Sequence, residues 1–136
     1  GEDYDNQIQH LEFKIKVKNV MTKPLEGGKL KFYIIGYAIS EQEMKKDRLF
    51  EVIGLEEFPL ELPSSEEKSF FPKEIENRFD HNFPVLFGAK YYGYLAVVMD
   101  SQGDVLGVES DKPKLKKASA VFLDMKKGEQ IHKKKM

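Results

Sequence analysis

The sequence predicts an all-β fold: an antiparallel β-sandwich of about seven strands with a short C-terminal helix or extension. Three observations lead there. In "HLEFKIKVKN", Leu11, Phe13, Ile15 and Val17 alternate strictly with Glu12, Lys14, Lys16 and Lys18, the period-two pattern of a strand with one buried and one wet face. Short apolar stretches then recur, separated by turn signals, up to residue 110. Helical periodicity is nearly absent before residue 112. A closed barrel is the competing architecture; unequal strand lengths and a proline-bounded segment favour a sandwich with free edges.

After the first strand, "NVMTKPLEGG" is a connection punctuated by Pro24 and the Gly27–Gly28 pair. "KLKFYIIGYAI" is apolar on both faces from Tyr33 onward, which places it centrally in its sheet. Gly36 inside it marks a bulge or a close approach of another chain. "SEQEMKKD" has room for one helical turn, with Ser40 as N-cap and Glu43 closing a capping box. "RLFEVIGL" reads as a third strand, "FPLELP" (58–63) as a short edge strand, and "SFFPKEI" as another short strand ending near Pro72. "ENRFDHNFPVLFGAK" lacks clear periodicity and is expected to pack as a loop across one end of the fold. "YYGYLAVVMD" is a continuously apolar central strand, joined through "SQGD" to "VLGVES" as a hairpin.

The tail "KPKLKKASAVFLDMKKGEQIHKKKM" admits two readings. As a helix it sets Leu115, Ala118, Phe122 and Met125 on one face, with Pro113 at its start and Gly128 at its stop. As a strand, "SAVFL" alternates Ala120 and Phe122 against Val121 and Leu123. The helix is preferred, because lysines flank the apolar part without interrupting it. The chain is one domain by size, divided into a flexible lead over 1–7, the sandwich over 8–111 and a basic extension over 112–136 packed on it.

Residues 1–111 carry 13 basic and 21 acidic residues, a net of −8; residues 112–136 carry 9 and 2, a net of +7. The tail has no arginine and one aromatic residue, whereas nucleic-acid binders combine arginine forks with interleaved aromatics. Nucleic acid is therefore not an expected partner. A terminal element with wet lysines, lying on its own acidic domain, is. The chain has no cysteine, which excludes disulfides, thiolate metal sites and cysteine nucleophiles.

No catalytic, cofactor-binding or metal residues are expected. His81, beside Glu76, Asp80 and Asn82, is the one histidine in a segment rich enough for a site, but its surroundings have no ligand spacing of a known kind. "DSQGD" lacks the alternating oxygens of a calcium loop and reads as a hairpin turn. Tyr33, Tyr37, Tyr91, Tyr92 and Tyr94 could form a stacking platform for sugars, although alternation must bury at least one face of "YYGYLAVV".

Two stretches resemble bacterial immunoglobulin-like domains. "FKIKVKNVMTKPLEGGKLKFYII" is similar to their opening strand pair, joined through a Lys-Pro-Leu connection. "YYGYLAVVMD" resembles their late central strand, with Tyr94 two residues before the small Ala96 where an antibody domain has Cys. The chain departs from antibody domains in having neither Cys nor Trp. The resemblance covers about residues 8–110 and points to the disulfide-free domains of surface proteins, adhesins and Ig-like pilus subunits.

That resemblance implies a non-enzymatic module of a bacterial cell envelope, acting through protein–protein contacts as a structural, adhesive or pilus-like component. A carbohydrate-binding sandwich using exposed tyrosines is the alternative. The contact surfaces expected are the 58–63 edge with Leu60 and Leu62, and the 77–87 loop with Phe79, His81 and Phe83. Tyr37 and Tyr91, and the tail lysines Lys116, Lys117, Lys126 and Lys127, complete them. A protein partner is expected, or self-association through a sheet edge or the extension. Gly1 ahead of "EDYDNQ" suggests a signal or anchor removed before residue 1, so that an envelope or extracellular location, and any membrane attachment, would depend on that segment.

Overall fold

In the computed structural model, which describes residues 6–38, 49–82 and 85–136, the alternation of residues 11–18 persists as alternating exposure. Leu11, Phe13, Ile15 and Val17 turn toward the core. The stretch nevertheless divides into β1 (Asn6–Leu11) and β2 (Ile15–Lys18). Its partner strand divides at the same level into β5 (Glu67–Phe70) and β6 (Ile75–Asn82), giving antiparallel pairs β1–β6 and β2–β5. Residues 12–14 on one side face 71–74 on the other, three against four, so the ladder lapses and the two ribbons separate.

The main sheet is built on β3 (Leu25–Ala38), β4 (Leu49–Leu62) and β7 (Val85–Met99). Its order is β1-β6-β7-β3-β4-β9, where β9 is Gln130–His132, and β8 (Val105–Ser110) also pairs with β7. All these pairings are antiparallel. The long β7 serves two neighbourhoods: its first residues pair with β6, and the rest pair with β3 and β8. The all-β expectation holds, with nine strands among the described residues where about seven were expected.

Both faces of β3 are buried, as its sequence predicts. Leu30, Phe32 and Ile34 face the β2–β5 ribbon, packing with Phe13, Ile15, Val17 and Phe70. Tyr33 and Ile35 face the opposite way, toward Phe50, Val52, Leu95 and the C-terminal segment. At the level of Ile35 and Gly36 both neighbours carry an extra residue, Ile53 on β4 and Tyr92 on β7. Paired bulges there increase twist and bend the sheet. Gly36 lies at a register shift, as the bulge reading has it, and the backbone that approaches it is the chain's own β7: a Cβ there would sit 2.7 Å from the Lys90 carbonyl oxygen.

Three expectations are corrected. "RLFEVIGL" and "FPLELP" are a single strand, β4, because Gly54 lets the chain continue past Ile34, whose Cδ1 lies 3.1 Å from where a Cβ would be. The described residues of the 77–87 segment are strand and not an end loop: Phe79 to Asn82 pair with Val85 to Gly88. The Gly27–Gly28 pair belongs to β3 as a bulge, Gly27 taking φ +66°. β1 starts at Asn6, within the 1–7 stretch expected as a lead. Phe83 and the Ser40–Glu43 capping box lie outside the described residues.

The close approach at Gly36 yields a stability test. Gly36→Ala should destabilise the fold by about 1–3 kcal/mol, because a backbone carbonyl cannot swing aside. Gly107→Ala, with nothing within 4 Å of its Cβ position, should stay within about 0.5 kcal/mol of the native chain. Urea unfolding of the two variants measures the contrast.

Candidate interaction surface

The C-terminal segment leaves the sheet through a polar clamp. The β8 ladder ends at Ser110, paired with Leu95. Side chains then continue it: Ser110 Oγ donates to the Tyr94 carbonyl, and Asp111 Oδ1 accepts from the Tyr94 N–H at 2.9 Å. Asp111 Oδ2 accepts from the Tyr91 hydroxyl at 2.8 Å. Gly93 makes room for this turn, since a Cβ there would lie 2.7 Å from both Asp111 Oδ1 and Lys112 Cγ. Burial, and then the Asp111 carboxylate that accepts its proton, push the Tyr91 phenol well above its ordinary value.

Two short helices follow, α1 (Pro113–Lys117) and α2 (Ser119–Phe122). Pro113 stands in the first turn, where its missing N–H costs nothing. Leu115, Ala118, Phe122 and Met125 are buried against Tyr33, Ile35, Val52, Leu95 and Val97, the stripe the helical reading selects. The Leu123 carbonyl at the end of α2 accepts from Lys31 Nζ at 2.7 Å and from the Tyr33 hydroxyl at 3.2 Å. A cation from the sheet therefore caps a helix C-terminus. Gly128, at φ +92°, then turns the chain into β9, which pairs with Leu49 to Glu51. The tail contains a strand as well as helices, although not the "SAVFL" strand weighed from sequence.

The expected contact residues fall into different environments. Lys116, Lys117, Lys126 and Lys127 are exposed. Tyr37 is half-buried between Phe50 and Tyr92 on the C-terminal face. Tyr91 packs with Phe13 on the opposite face. The tyrosines are thus divided between two faces and do not form one platform. Leu60 and Leu62 are core side chains: the 58–63 stretch is an edge, with residues 53–62 paired only to β3 among the described residues, but its leucines point inward. Phe79 and His81 lie on β6, opposite Gly88 and Leu86. Among the described residues no group of three His, Cys, Asp or Glu is placed to hold a metal ion, and no helix is long and apolar enough to cross a membrane.

Sequence reasoning missed a groove at the end of the sheet away from Gly36. Asn19, only 4% exposed, organises it. Its Nδ2 donates to the carbonyls of Lys23 and Leu62, its Oδ1 accepts from the Met21 N–H, and its backbone bonds Glu66 and Ser65. This one side chain ties the β2–β3 connection to the β4–β5 turn. The connection holds Val20 out in solvent, 84% exposed, facing the same cavity as Leu106 of β8, 45% exposed. Leu106 is the extra residue where Val98 pairs with Gly107 and Met99 with Val105. The adjacent "DSQGD" turn is closed by Asp100, whose Oδ1 accepts from the Gln102 and Asp104 N–H groups, as a hairpin turn requires. A consecutive Val105–Leu106 pair on a hairpin strand was the signal available in the sequence.

Two outcomes follow from this geometry. Asn19→Ala leaves the Leu62 and Lys23 carbonyls and the Met21 N–H without their partner and should cost about 1–3 kcal/mol in denaturant unfolding. Because the folded state holds the Tyr91 proton more tightly than the unfolded chain, stability from this group is complete below pH 10.0 and falls as pH rises above it. Tyr91→Phe should therefore flatten the alkaline decline of the melting temperature while changing stability little at neutral pH.

Comparison of the chain with models of protein families, with curated proteins and with solved structures finds no match.

Proposed function

We propose that this chain is a non-enzymatic immunoglobulin-like module of a bacterial cell-envelope or surface protein, working through protein–protein contacts as a structural, adhesive or pilus-like component. The observation that carries the reading is the combination of open strand edges with large apolar side chains held in solvent. Residues 53–62 of β4 and the outer sides of β2 and β8 have no strand beside them among the described residues. Val20 and Phe71 are 84% and 66% exposed, and Leu106 stands on the β8 edge. Unpaired strand backbone offers hydrogen bonds to another chain, and adjoining apolar side chains supply the area that holds it. The two-layer packing of the β2–β5 ribbon on the main sheet accords with the immunoglobulin-like reading of "FKIKVKNVMTKPLEGGKLKFYII". The sugar-platform alternative draws no comparable support, since the tyrosines pack among core aromatics on opposite faces.

Photo-cross-linking in the native cell tests this. A photoreactive residue placed at Val20, Phe71 or Leu106 should give a covalent adduct with a second polypeptide in the envelope fraction. Recovery of the native protein from the cytosol, with no protein adduct from any of the three positions, would overturn the reading.

A further inference from the structure

We propose that the outer face of the C-terminal layer binds the surface of an anionic lipid bilayer, held there by its lysines with no part of the chain inserted. This goes beyond the protein-contact reading and uses a different surface, since Val20, Phe71 and Leu106 lie outside residues 112–136.

The layer presents apolar side chains inward and charge outward. Leu115, Ala118, Phe122 and Met125 are buried against the main sheet, which leaves no apolar stripe to enter a bilayer. Lys116, Lys117, Lys126 and Lys127 stand exposed around that stripe, and a final 3-10 turn adds Lys133–Lys135. A cavity of about 390 Å³ between α1 and Met136, lined by Lys114 and Lys117, brings that turn beside α1 and makes the lysines one patch. Residues 112–136 hold only two carboxylates, and that of Glu129 accepts from the Lys126 N–H at 3.1 Å. The ion pairs among the described residues join His10 to Glu74, and Lys29 and Lys31 to Glu57; no lysine from 116 onward takes part. The opposite face of the molecule is mixed instead. Over residues 12–18 and 66–68, Lys14, Lys16, Lys18 and Lys68 are exposed together with Glu12, Glu66 and Glu67.

Distance lets this face act although the chain as a whole has a net charge of −1. Packed layers stand about 10 Å apart, and charges beyond about 8 Å are largely screened at physiological salt. A membrane touched by the lysines therefore meets little of the acidic body. The net charge of −8 over residues 1–111 turns that body away from the lipid and orients the molecule. The residue type selects lipid over nucleic acid. Lysine supplies a point charge without arginine's planar fork, and the one Phe of the segment, Phe122, is fully buried. Nucleic acids are held by forks and stacking rings, whereas a fluid array of headgroups asks only for charge density. Each lysine brought to such a surface strengthens attachment roughly fivefold.

Co-sedimentation of the full chain with vesicles of equal parts phosphatidylglycerol and phosphatidylcholine tests this. Binding should appear at about 0.1 M salt, where the screening length is about 10 Å, and vanish at about 1 M, where it is about 3 Å. Vesicles of phosphatidylcholine alone should retain nothing. Lys116→Gln, Lys117→Gln, Lys126→Gln and Lys127→Gln combined should weaken binding at least about tenfold, as should Lys133→Gln, Lys134→Gln and Lys135→Gln combined. Both variants alter exposed side chains alone, and either one carries the test without the other. Lys14→Gln, Lys16→Gln, Lys18→Gln and Lys68→Gln combined remove four charges from the opposite face and should change binding by less than about twofold. Absence of binding, binding to neutral vesicles, persistence at the higher salt, or equal loss from the two faces overturns the proposal. A mixed-sequence DNA duplex that binds at least as tightly at matched phosphate concentration also overturns it, assigning the face to nucleic acid. Cross-links from Val20, Phe71 or Leu106 report on other surfaces, so the protein-contact reading stands or falls separately.

Discussion

A strand with apolar side chains on both faces needs two covers, and β3 imposes that requirement on the whole molecule. Leu30, Phe32 and Ile34 point one way, Tyr33 and Ile35 the other, and all five are buried. The β2–β5 ribbon supplies the first cover and the C-terminal helices the second. Without the tail, Tyr33, Ile35, Phe50, Val52, Leu95 and Val97 would stand uncovered at a cost of roughly 1.5–3 kcal/mol for each large aliphatic or aromatic side chain. The last residues of the chain are therefore part of the core.

This explains how a basic tail docks on an acidic body. The seating is apolar, through Leu115, Phe122 and Met125, and is fixed at both ends by backbone. At its start Ser110 and Asp111 continue the β7–β8 ladder with side-chain oxygens. At its end β9 extends the sheet along Leu49 to Glu51, and Gly128 and Glu129 bond Val52. The lysines at 116, 117, 126 and 127 remain in water, where their charge keeps the outer face of the added layer soluble.

Much of this was legible where periodicity reports burial directly. The alternation of residues 11–18, the two-faced β3, the bulge at Gly36 and the Leu115–Ala118–Phe122–Met125 stripe all follow from spacing alone. Legibility failed where one neighbour decides the outcome. "RLFEVIGL" and the proline-bounded "FPLELP" read as separate strands, yet Pro59 sits at an edge and Gly54 fits against Ile34, so β4 runs through both. The 77–87 stretch hid its alternation because the ends of two successive strands, β6 and β7, blur into one run in the sequence. β9, three residues long, has no period to detect. The groove left only the consecutive Val105–Leu106 pair as a signal, since its walls come from residues about ninety positions apart.

The edges that remain open are as informative as those that close. β9 covers the first part of the β4 edge, and a free edge further along carries Pro59 and Glu61, residues that discourage indiscriminate pairing. β2 carries Lys16 and Lys18 outward, and β8 is shortened and bulged at Leu106. Both devices limit aggregation, because the lysines repel another lysine-rich strand and the bulge shortens the register over which one can pair. An edge blunted against strands of its own kind discriminates by the charge pattern of what approaches. In this molecule the same lysines that keep the first strand wet set the terms on which its edge can be used.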